Sequence, residues 1–192
     1  MPRWTCIWTA SWNRQPQGLD ESLASNRNPT ARRQADWREI EPDGPEVLAL
    51  IDRMVQSGTA IDPTLRIQHF DDGSRSRFPL ELFAAGQESY ERMGRFVRNA
   101  QRAGVLLLAG TDNINLIDEL EAYAEFGIPN LEIIRAATVN GARWLGREHE
   151  FGTLEIGTRA DLILVDGDPL ADVGDLRNIS LVVQNGVVVF RR

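Results

Sequence analysis

At 192 residues the chain is long enough for one domain with a real core, or for a domain carrying an appendage. Its 42% hydrophobic and 26% charged content is that of a globular protein, and a net charge of −7 gives no electrostatic support for binding nucleic acid or an anionic membrane. All 21 basic residues are arginine and the only histidines are His69 and His149, so a mechanism needing a lysine, or more than two histidine ligands from this chain, is excluded. The single cysteine, Cys6, rules out an internal disulfide and fits a reducing, cytoplasmic setting. No apolar run has the length of a membrane span, and the N-terminal residues lack the continuous apolar core of a signal peptide.

Residues 1–40 differ from the rest. Trp4, Trp8, Trp12 and Trp37 fall here among scattered polar residues; Trp4, Trp8 and Trp12 share an i, i+4, i+8 spacing that could form an aromatic helix stripe, but Thr5, Thr9 and the flanking prolines weaken it, and the segment reads as irregular. Pro45 then opens a helix over 46–56, with Val47, Leu50, Ile51, Met54 and Val55 on one face and Gly58 ending it. Residues 59–65 read as a short strand cut at Pro63, and 68–78 as a polar loop. A long helix is predicted over 80–103, followed by a strand from Val105, a helix over 116–126 and another from Pro129 to about Leu145. After Gly146 the period changes: 160–165 reads as a strand, 166–169 as a turn and 181–190 as a hairpin turning at Asn185-Gly186.

The stretch Val105-Leu-Leu-Leu-Ala-Gly-Thr-Asp112 is the most pointed. A short apolar run between Gly104 and Gly110 reads as a buried parallel strand, and Asp112 falls at its C-terminal lip, where α/β barrels place their chemistry. The plainer reading of Asp112 is a helix cap or a turn residue.

Several motifs occur in a fixed order: Ala109-Gly-Thr-Asp112, Asp118-Glu-Leu-Glu121, Ala136-Ala-Thr-Val-Asn-Gly-Ala142, and Gly152-Thr-Leu-Glu-Ile-Gly-Thr-Arg-Ala-Asp-Leu-Ile-Leu-Val-Asp166 with Gly167-Asp-Pro-Leu170. Together they resemble the C-terminal end of the amidohydrolase superfamily, nearest its imidazolonepropionase-like and prolidase-like branch. Residues 46–65 look like the preceding barrel segment, so the resemblance covers 41–192. It implies a metal-dependent hydrolase with a TIM-like (β/α)8 barrel and a small β-sandwich. The implied activity is hydrolysis of C–N bonds in small-molecule amides, cyclic amides or dipeptide-like substrates, with zinc or another divalent metal. By motif match Asp112 is the family's metal-binding aspartate, which also takes a proton from the attacking water; Thr111 and Asn113 would shape the strand mouth, and Asp161 would be structural.

The departures from that pattern are large. There is no His-x-His pair and no lysine to bridge two metals. His69 reads as an exposed loop residue and His149 lies between barrel and β region, so neither is assigned as a ligand. Two barrel strands can be placed where eight are needed. The expected fold class is therefore α/β, comprising the last two β/α units of a barrel plus the C-terminal part of a sandwich, divided as 1–40, 41–145 and 146–192. Residues 1–38 fit either a lineage-specific extension or out-of-frame translation of a GC-rich gene. The functional readings left open are an amidohydrolase-type enzyme, an inactive remnant or a piece needing a partner chain to supply strands and ligands, and a small α/β binding module; the isolated chain is not expected to hold metal.

Overall fold

The computed structural model describes residues 37–69, 73, 79–112 and 114–192. The expectations for Trp4, Trp8, Trp12 and Cys6, for most of the 68–78 loop and for Asn113 lie outside these residues. Helix α1 (Pro45–Ser57) leads to β1 (Ala60–Ile61) and a 3-10 turn (Arg66–Gln68); α2 (Leu80–Ala103) leads to β2 (Leu106–Leu107). Three helices follow, α3 (Leu116–Glu125), α4 (Asn130–Ala136) and α5 (Val139–Trp144). Then come β3 (Leu162–Val165), a second 3-10 turn (Val173–Arg177), β4 (Ile179–Gln184) and β5 (Val187–Arg191).

Strands β1 and β2 pair in parallel, Ala60 opposite Leu106 and Ile61 opposite Leu107, with one more backbone bond from Leu108 N to Ile61 O at 2.8 Å. Both are shorter than the apolar runs that produce them. The reason lies just past Leu107, where side chains rather than a neighbouring strand take the backbone: Asn140 Nδ2 donates to Leu107 O at 2.9 Å and Tyr123 Oη to Leu108 O at 3.0 Å. A helix–strand core forms around this pair. Ile51 and Met54 from α1, Met93, Val97 and Ala100 from α2, and Leu120 and Tyr123 from α3 close over Ile61, Leu65 and Leu107. Gly104 lets α2 turn directly into β2, at φ 99, a conformation an L side chain rarely adopts.

The helix expected from Pro129 to Leu145 is two helices. Thr138 leaves helical geometry at φ −132 and ψ −99, and its hydroxyl bonds back to Ile134 O at 2.7 Å. The break lets α5 start afresh and aim Asn140 at β2.

Strands β3, β4 and β5 form an antiparallel sheet in that order. Asn185 at φ 50 and Gly186 at φ 78 make the left-handed pair that a two-residue hairpin with the correct twist requires. The Asp161 carboxylate accepts from Asn185 N at 2.7 Å and pairs with Arg159, so it anchors the hairpin turn. The second 3-10 turn joins this sheet to the helices: Val173 is buried in the core, and Arg177 reaches Asp118 and Glu121 of α3, both at 2.6 Å. That turn had no clear sequence signal. Every residue of β5 is exposed, Val189 by 56% and Phe190 by 48%, so the sheet's outer strand is apolar and bare among the described residues.

Packing is tight where α2 passes the end of α3. A Cβ added at Gly94 would lie 2.2–2.3 Å from the Phe126 ring, which packs edge-on against Tyr90 at 5.0 Å. Gly94→Ala should therefore destabilise the chain by about 1–3 kcal/mol in urea unfolding; a change within about 0.5 kcal/mol would show that this contact yields freely.

Candidate functional site

The C-terminal ends of two adjacent parallel strands are the place to look for chemistry in an α/β fold. Beyond β1 the chain runs through Asp62, Pro63 and Thr64 into the first 3-10 turn; beyond β2 it runs through residues 108–112. Thr64 and Asp112 both have left-handed backbones, φ 46 and φ 51. For a β-branched threonine this is an outlier, and such residues persist only where surrounding contacts hold them.

Asp112 is exposed at the rim. The plainer role weighed for it, capping the following helix, belongs to Asn115, whose Oδ1 accepts from Ile117 N at 2.8 Å. Thr111 is half-buried beside it.

At the same two strand exits lie three groups that sequence reasoning did not single out. Asp62 places its carboxylate against Gly110, so close that a Cβ there would sit 2.0 Å from Oδ1, and it accepts the Gly110 N–H. The Asp62 residue is open to solvent at its rim, but burial of the carboxylate pushes its pKa up, partly offset by that amide. Glu119 is 0% exposed, and its two oxygens accept from Leu65 N at 2.6 Å and Arg66 N at 2.7 Å. Burial raises its pKa above the ordinary value, the two amides pull it back in part, and the Asp62 charge raises it further. Tyr123, one turn on from Glu119, is also fully buried, and burial followed by the two carboxylates drives its pKa upward. A signal for these residues existed: Glu119 and Tyr123 flank Leu120 on the apolar face of an otherwise acidic helix, where a carboxylate needs a partner.

The histidines lie elsewhere. His69 was expected in an exposed loop; it is half-buried instead, because the 3-10 turn folds it onto Tyr90 with ring centroids 4.8 Å apart. His149 is exposed, its Nε2 3.9 Å from Glu150. Among the described residues no three His, Cys, Asp or Glu side chains gather as a metal-holding group. Asp112 alone offers neither the ligand number nor the geometry of a zinc site, and Glu119 already accepts a backbone amide on each oxygen. The donor set described here does not fit a divalent metal. None of the described helices is long and apolar enough to cross a membrane.

Residues 32–189 match the Amidohydrolase family. The chain belongs to that family. Among curated relatives it is 39% identical over 85 residues to a 5-methylthioadenosine/S-adenosylhomocysteine deaminase of Moorella thermoacetica, covering 36% of this chain and 20% of the deaminase. It is 33% identical over 143 residues to an uncharacterized protein of Mycobacterium tuberculosis, covering 69% of this chain and 37% of that one. In structure it resembles a Xaa-Pro dipeptidase crystallised with methionine in its active site, with TM-score 0.63 and 27% identity over 74% of this chain and 37% of the dipeptidase. The chain thus spans between about a fifth and two fifths of the length of these amidohydrolase relatives. The α/β arrangement described above agrees with these neighbours.

The raised carboxyls give the family member a pH signature. A carboxyl whose folded pKa exceeds its unfolded one takes up a proton on folding, so its stabilisation is full below the unfolded value and lost as pH rises through the folded one. For Glu119 the window begins at the ordinary value of 4.5, and Asp62 acts with the same sign from 3.8. Glu150 and Asp161 are shifted downward and act at lower pH. The urea midpoint should fall as pH rises just above 4.5, and Glu119→Gln should flatten that slope. A midpoint that rises across the window equally in both proteins would contradict the assignment.

Proposed function

We propose that this polypeptide derives from a metal-dependent hydrolase of C–N bonds and carries the mouth of two barrel strands with the family aspartate, Asp112, but is not by itself a working catalyst. The observation that carries this reading is the state of the groups around Asp112: Asp62 accepts the Gly110 amide and Glu119 accepts those of Leu65 and Arg66. Glu119, fully buried with an amide on each oxygen, braces backbone, and Asp62 with Asp112 would offer too few donors for a zinc site. Asp112 is then a metal ligand and general base by descent. Its ancestral substrates are small amides, cyclic amides or dipeptide-like molecules, in keeping with relatives named as a deaminase and a Xaa-Pro dipeptidase.

The same reading divides the chain into an atypical segment 1–40, a partial (β/α) barrel 41–145 and a share of a β-sandwich 146–192, acting in the cytoplasm. A second reading has one observation in its favour. The parallel sheet has only β1 and β2 among the described residues, and β5 is bare and apolar, so strand edges stand open for completion by another chain. A partner supplying strands and histidines would then make the site whole.

Purified full-length chain should contain zinc well below one equivalent and should not turn over a panel of acyl-amino acids and cyclic amides. Stoichiometric zinc with turnover that Asp112→Asn abolishes would overturn the proposal. Turnover that appears only with a second, co-purifying chain would establish the partner reading in its place.

A further inference from the structure

We infer that Glu119 and Tyr123 are positioning residues for the segment that presents Asp112, tying residues 109–112 to residues 63–66 so that the two strand mouths form one unit. The inference rests on the reading of Asp112 given above, and it concerns what holds that residue in place.

Helix α3 carries the tie. Glu119 and Tyr123 are four residues apart, so they lie one above the other on a single helix face. Glu119 takes the two amide donors that follow left-handed Thr64. Tyr123 gives its hydroxyl proton to Leu108 O, immediately before residues 109–112, and faces the Glu119 carboxylate. One helix face thus grips the exit of β1 through donors and the exit of β2 through an acceptor. Asp62 closes the loop from the other side, crossing from the β1 exit to the Gly110 amide. Only Gly110 permits that crossing, since a Cβ at 110 would coincide with the Asp62 carboxylate.

Glu119 and Tyr123 are both fully buried, so neither can exchange its partner for water. Because both side chains stand on one helix face, losing either bond lets that face shift and disturbs the other strand exit. A purely local role would look different. Glu119 would then matter only to the first 3-10 turn, and Tyr123 only to β2.

The test is an amide spectrum of the 15N-labelled full-length chain, with hydrogen exchange, for wild type, Glu119→Gln and Tyr123→Phe. In Glu119→Gln the resonances of Gly110, Thr111 and Asp112 should shift together with those of Leu65 and Arg66. In Tyr123→Phe the Leu65 and Arg66 amides should exchange roughly tenfold faster, about the worth of one net hydrogen bond. Perturbations confined to residues 63–66 in the first variant, or unchanged Leu65 and Arg66 exchange in the second, would overturn the inference. Should Glu119→Gln not fold, Tyr123→Phe decides alone. The measurement uses no metal and no substrate, so its failure is distinct from a failure of the proposed ancestry of Asp112.

Discussion

A carboxylate with no access to water must find donors inside the protein or lose its charge, and Glu119 meets that constraint with two backbone amides at 2.6 and 2.7 Å. Those amides belong to a turn that begins at Thr64, whose left-handed backbone costs on the order of 1–3 kcal/mol by itself. The two features support each other: the carboxylate needs the amides, and the turn needs an anchor. From that joint the arrangement extends through Tyr123 to Leu108 and through Asp62 to Gly110. Asn140 on α5 adds a fourth side chain to the same strand ends. The parallel ladder is only two residues long on each side, so these side-chain bonds, together with the apolar core, define the strand exits.

Membership of the amidohydrolase family and the make-up of a metal site rest on different parts of the molecule. Family likeness resides in the helix–strand frame and the motifs that build it, which run from residue 32 to 189. Catalysis in a barrel depends on side chains gathered from many strand ends, whereas the described residues supply two. The ion pairs of Arg177 with Asp118 and Glu121 illustrate the frame's own logic, because these two carboxylates of α3 dock the second 3-10 turn.

Much of the frame was legible in the residues. The bounds 80–103 of α2 follow from apolar spacing between Pro79 and Gly104, and the hairpin follows from Asn185-Gly186, because each is set by local backbone preference. Asp112 was legible as the end of an apolar run, though the side chains that brace its strand exit were not. Glu119 and Asp62 acquire their roles through contacts across 54 and 48 residues of chain respectively, and no local pattern encodes a pairing of that range. The break at Thr138 escaped for a related reason. Its hydroxyl competes with the helix for Ile134 O, and the outcome is settled by where Asn140 must point to reach β2.

A double-mutant cycle between Glu119→Gln and Tyr123→Phe, read by urea unfolding of the full-length chain, tests most directly whether one helix face holds both strand exits as a unit. If it does, the two substitutions should couple by about 0.5–3 kcal/mol. Effects that add to within about 0.3–0.5 kcal/mol would mean that the two strand ends are braced independently, contradicting the account.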